Sequence, residues 1–162
     1  MKLSAEDLAR VQETLKGIAF FDYLKPDELS ALLDVFERHP FKRNDVLITQ
    51  GKTGEVFYIL EAGLLGVYQK RELLDRKIAE LTPPVFFGEM SLISNAPRSA
   101  SVIALEDGMV LTLSRATFRE IILGNAHLAH LIRETARKRE EESKEIERQE
   151  RMFRAMNQPK TE

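Results

Sequence analysis

The stretch from Phe41 to Ser114 predicts a mainly β domain, a sandwich or a barrel, with helices before and after it. Two observations carry this. Inside the stretch, short runs of β-branched and aromatic residues recur between glycine turns; outside it, apolar residues fall at helical spacing. At 162 residues the chain has room for one domain and an extension, and a domain near this size buries about 70% of its unfolded surface.

In chain order, Ser4 stands as an N-cap with Asp7 three residues on, and Leu8, Val11 and Leu15 follow at helical spacing until Gly17. Pro26 suits the first turn of a second helix, whose apolar stripe is Leu29, Leu32, Leu33 and Phe36. The strand runs are 46–48, 56–60, 64–68, 77–81, 101–104 and 109–113, parted by the turns 51–54, 61–63 and 106–108. Gln69 to Arg76 reads as a hairpin tip with solvated basic residues. Phe118 opens a helix that Gly124-Asn125 should end or bend. Leu128, Leu131, Ile132 and Ala136 then form the apolar face of a longer helix. From Arg137 to Arg151 only Ile146 is aliphatic, and Glu140–Lys144, Glu147–Arg151 and Glu150–Arg154 are favourable i, i+4 pairs on a solvated helix. Met152, Phe153 and Met156 restore hydrophobicity near its end, and no heptad pattern is sustained.

Composition closes several classes of function. There is no cysteine, so disulfides, thiol catalysis and thiolate metal sites are excluded, in accord with a reducing compartment and a cytoplasmic location. No apolar run approaches the roughly 18 residues that a membrane span needs. Residues 1–7 lack the build of a signal peptide. A net charge of −2 gives no electrostatic case for nucleic acid. His127 and His130 are spaced i, i+3, but no further ligands point to a metal; they read as helix surface or a partner-facing pair.

The densest chemistry lies in Phe87-Gly88-Glu89-Met90-Ser91-Leu92 and Pro97-Arg98-Ser99-Ala100-Ser101-Val102. An arginine offers a planar fork of donors to a phosphodiester, a helix start offers free N–H groups, and glycine lets the backbone come close. A carboxylate is repelled by phosphate, so Glu89 would accept from a hydroxyl such as a ribose 2′-OH. The residue types leave a second reading open, an ordinary ion pair between Glu89 and Arg98 at a loop.

The run FGEMSL, the gap and PRSASVIA resemble the phosphate-binding cassette of cyclic nucleotide-binding domains, found in catabolite activator proteins, regulatory subunits of cyclic AMP-dependent kinase and cyclic nucleotide-gated channels. The resemblance extends upstream through Asp45-Val46-Leu47-Ile48, Gln50-Gly51, Gly54, Tyr58-Ile59-Leu60, Gly63 and Val67-Tyr68. It implies an eight-stranded jelly-roll β-barrel with N-terminal helices and a long C-terminal helix. It divides the chain into an N-terminal helix (1–17), the ligand-binding barrel with flanking helices (18–124), a lid or interaction helix (125–157) and a frayed tail (158–162). The cassette would carry its own helix, near residues 88–93.

The same resemblance implies roles. Glu89 would accept the ribose hydroxyl, Arg98 would balance the cyclic phosphate, Ser99 would donate its hydroxyl, and Gly88 and Ala100 their backbone N–H groups. Met90 and Ser91 complete the ligand-binding set in the cassette helix. Arg139 and Ser143 align with residues that contact the base, and serine at position 99 accords with cyclic AMP (cAMP) over cyclic GMP (cGMP). Thr82 to Phe86, with Pro83 and Pro84, departs from the usual glycine turn and should alter the entry to the cassette. Too few residues follow Arg139 for a DNA-reading motif, and no nucleotide-hydrolysing motif is present. The expectation is a cAMP sensor, without cofactor or metal, that repositions its C-terminal helix towards a protein effector or a second copy. The rivals are an assembly protein whose cassette binds no ligand or another nucleotide, and a phosphodiesterase-type enzyme.

Overall fold

A computed structural model of the chain describes residues 3–71 and 74–157. Eight strands form two four-stranded antiparallel sheets, the jelly-roll arrangement expected. One sheet holds β1 (Glu37–Phe41), β8 (Gly108–Ser114), β3 (Val56–Ala62) and β6 (Val85–Phe87), in that order. The other holds β2 (Val46–Ile48), β7 (Ser101–Ala104), β4 (Leu65–Arg71) and β5 (Leu74–Leu81).

β3 is apolar almost throughout because both of its faces are covered. Leu60, with Tyr58 beside it, packs between the sheets against Phe41, Ile48, Leu65, Phe87 and Val102. Phe57 and Ile59 point the other way, into a second core shared with Val11, Leu15, Leu32, Phe118 and Leu128 from the helices. Burial of each such side chain contributes about 1.5–3 kcal/mol. The helices are thereby fixed to one sheet, and the opposite sheet is left to border the site.

α1 (Ala5–Lys16) is capped as expected: Ser4 Oγ accepts from the Asp7 N–H at 3.1 Å. A 3₁₀ turn (Ala19–Tyr23) leads to α2 (Pro26–Val35), where Glu28 accepts from the Lys25 N–H at 3.1 Å. After β8, a short turn of helix, α4 (Arg115–Thr117), runs into a π-helical turn (Phe118–Ile122), closed by the Leu123 N–H on Phe118 O at 3.1 Å. The helical run stops before Gly124, and Asn125 Oδ1 accepts from His127 and Leu128 N–H groups at 3.0 and 3.2 Å to start the long helix, Ala126–Met156.

Two strands lie outside the runs read from the sequence, β1 and β6. The supposed hairpin tip is shorter than Gln69–Arg76, since Gln69 pairs with Arg76 and Lys70 with Asp75 in the β4–β5 ladder. Residues 72–73 and the expected frayed tail, 158–162, lie outside the described residues. Among the described residues no helix is long and apolar enough to cross a membrane.

Candidate functional site

β6 delivers the chain to Gly88, which takes a φ of 82° and opens the cassette helix α3 (Glu89–Ser94). A Cβ at Gly88 would sit 2.9 Å from Arg98 Nη1 and 3.3 Å from the Tyr58 ring, so the position admits only glycine. Gly54 serves the same arginine from the other side: a Cβ there would lie 2.8 Å from Arg98 Cζ and 2.6 Å from Ser91 Oγ. The turn that holds Gly54 also grips the Arg98 backbone, with Gly51 N–H donating to Arg98 O and Arg98 N–H to Lys52 O, both at 2.8 Å.

Arg98 is 8% exposed. Its Nη1 donates to Gly88 O at 2.7 Å and its Nη2 to Val56 O at 2.9 Å. Among the described residues it makes no ion pair. Burial lowers its pKa from the usual arginine value, against the opposing pull of Tyr58, Glu89 and Glu55. A guanidinium taken out of water and given carbonyls but no carboxylate is a positive charge that an entering anion would compensate.

Glu89 is 1% exposed, and the Glu89–Arg98 ion pair does not form. Instead Arg139, from the long helix (α5), donates Nη1 to Glu89 Oε1 at 2.7 Å and Nη2 to Phe86 O at 2.8 Å, with its guanidinium 5.1 Å above the Phe86 ring. Arg139 takes only Oε1 of this carboxylate, and the Glu89 side chain borders the cavity. Ser143, one turn beyond Arg139, accepts from Gln69 Nε2 at 2.8 Å. Ser91 spends its hydroxyl on Ala96 O at 2.6 Å, bracing the loop that leads to Arg98.

These groups surround a cavity of about 480 Å³ between β4, β5, the cassette and α5. Gly88, Glu89, Met90, Ser91, Arg98, Ser99, Ala100, Arg139 and Ser143 all border it. Its size falls in the range of small-ligand sites, about 300–1,000 Å³. Gln69, read from the sequence as part of a hairpin tip, also borders it. The signal that would have found it is period two along β4, which places Gln69 on the inner row of Leu65 and Val67. Among the described residues no group of three potential metal ligands comes together, and His127 stacks on Tyr23 with ring centres 5.7 Å apart.

The family model for the cyclic nucleotide-binding domain matches residues 38–125, more than half of the chain. The type II regulatory subunit of cAMP-dependent protein kinase from Drosophila melanogaster is 33% identical over 121 residues, a match spanning 75% of this chain and 31% of that protein. The Thermus thermophilus catabolite activator protein structure is 31% identical with a TM-score of 0.67, covering 79% of this chain and 61% of that one. The regulatory domain of Toxoplasma gondii PKA, solved with cAMP, is 25% identical with a TM-score of 0.70, covering 74% and 46%. The chain spans about a third of the length of the curated relatives it matches. Motif, jelly-roll and these matches agree: the chain belongs to the cyclic nucleotide-binding domain family.

Proposed function

We propose that this chain binds a 3′,5′-cyclic nucleotide, cAMP in preference to cGMP, and acts as a sensor rather than an enzyme. The observation that carries the reading is Arg98, a buried guanidinium held by two backbone carbonyls, without a carboxylate, at the wall of a cavity. A cyclic phosphate supplies the missing anion. Gly88 and Ala100 are at hand with backbone donors and Ser99 with a hydroxyl, while Glu89 Oε2 accepts the ribose 2′-OH. A chain of contacts then runs from ribose to Glu89 to Arg139, so that ligand and α5 share one carboxylate. Ligand binding favours the docked position of α5, and the altered surface is read by an effector protein or a second copy in the cytoplasm. The relatives named as regulatory subunits support a binding role.

Titration calorimetry with cAMP and cGMP tests this on the chain and on Arg98→Ala. The expected result is tighter binding of cAMP, recovery of the nucleotide intact by chromatography, and roughly a 100-fold or greater loss in the variant, as two charge-assisted bonds disappear. Binding of neither nucleotide, or equal binding by Arg98→Ala, would return the chain to the assembly reading.

A further inference from the structure

Four polar residues are buried among those described: Glu89, Ser91 and Arg98 of the cassette, and Gln69, which lies outside it at 9% exposure. Gln69 continues the inner row of Leu65 and Val67, where an aliphatic residue would complete the wall without a polar group to satisfy. Its Nε2 instead donates to Ser143 Oγ at 2.8 Å and to Ser99 O at 3.3 Å, both residues of the cavity lining. The second contact is long for an N–H to oxygen bond, so it is readily given up for a better acceptor.

We propose that Gln69 is a base-reading residue that sets the preference between adenine and guanine. The inference rests on the cyclic nucleotide reading above. With the phosphate at Arg98 and the ribose at Glu89, the space left for the base is bordered by Val67 and Gln69 of β4 and by Ser143 and Ile146 of α5. Ser143 is one helical turn, about 6 Å, beyond the arginine that holds Glu89. Val67 and Ile146 offer apolar surface to the faces of a purine, and Gln69 and Ser143 offer polar groups to its edge. Adenine places an amino donor beside a ring-nitrogen acceptor; guanine places a carbonyl beside an N–H, the reverse order. Ser99 O can only accept, so even this long contact biases the carboxamide to keep its Nε2 end towards the cassette.

The test compares cAMP and cGMP affinities of the chain and of Gln69→Leu by calorimetry, with thermal melts to verify folding and Gln69→Met, unbranched and of equal length, as the second variant. The expected result is a cAMP-to-cGMP affinity ratio that moves towards unity by threefold or more. A smaller shift, or a shift in the other direction, overturns the proposal even where both affinities fall, because a common fall means that Gln69 only braces Ser99 and α5. On the unaltered chain, the 3′,5′-cyclic monophosphate of purine riboside, which lacks the 6-amino group, is expected to bind at least threefold more weakly than cAMP; equal binding also overturns it. If neither cAMP nor cGMP binds the unaltered chain, the site reading itself has failed, which is a different result from an unchanged ratio.

Discussion

At the scale of single residues, the site is built from charges whose partners lie far away in sequence. Arg98 and Glu89 were singled out because the cassette is local: glycine, acid and arginine fall within a dozen positions, and resemblance to a phosphate-binding cassette chose ligand roles over an ordinary ion pair. Arg139 lies fifty positions from Glu89, and only the folded helix shows that its guanidinium meets that carboxylate. Tyr58 gives a prediction of the same kind. Its hydroxyl donates to Leu47 O at 3.2 Å, and burial raises its pKa above the usual 10.0, with nearby Arg98 pulling it down. The folded chain therefore holds this proton more tightly than the unfolded chain. The resulting stability is whole below pH 10 and is lost as pH rises from there through the raised value. Urea unfolding at pH 9 and pH 11 should show that loss in the chain and a smaller one in Tyr58→Phe, which also forfeits about 1 kcal/mol at both values with its hydrogen bond. Equal pH-dependent losses in the two proteins would place the effect elsewhere.

At the scale of elements, the ends of helices were read well where a side chain caps them and poorly where tertiary partners decide. Asn125 accepts two N–H groups at the start of α5 and donates to Glu28 at 3.2 Å, so one residue both begins the long helix and ties it to α2. Asn125→Ala should lower unfolding free energy by about 1 kcal/mol, seen as a lower urea midpoint at unchanged m-value. No change in midpoint would mean that packing of Leu128 and Ile132 alone sets the helix start. β1 shows why some elements were not legible. Glu37-Arg38-His39-Pro40-Phe41 has a charged composition with a proline, and it becomes an edge strand because β8 pairs with it. Arg38 is accommodated there by Glu61 Oε2 at 2.8 Å and Asp7 Oδ1 at 2.9 Å, contacts that also pin α1 to the barrel. β6 is only three residues long, too short to show a period, and pairing with β3 defines it. The π-helical turn likewise reads as ordinary helix in sequence. Its Arg119 reaches back to Asn95 Oδ1 at 2.8 Å, joining the end of the cassette helix to the segment that leads into α5.

At the scale of the molecule, α5 links the helical core to the cavity. Its first turns, through Leu128 and Ile132, belong to the helical core against β3, whereas its middle closes the cavity through Arg139 and Ser143. Beyond the cavity, Glu150, 14% exposed, accepts from the more exposed Arg76 of β5 at 3.1 Å. The middle and end of α5 are therefore held mainly by polar contacts, and such a helix detaches at far lower cost than one bound by an apolar face. A ligand that engages Glu89 and the base-side wall adds contacts only in the docked state, and it can shift the equilibrium only by that difference. Hydrogen exchange on saturating cAMP should slow across residues 128–153 by roughly five- to 150-fold, the range of about 1–3 kcal/mol coupling. Arg139→Ala should still bind through Arg98 yet show a smaller gain in α5 protection, because the path from ribose to helix is cut at Glu89. Exchange in α5 that is indifferent to ligand would sink the switch while leaving nucleotide binding intact. An equal gain in Arg139→Ala would assign the coupling to the base side, through Ser143 and Gln69, instead of the ribose.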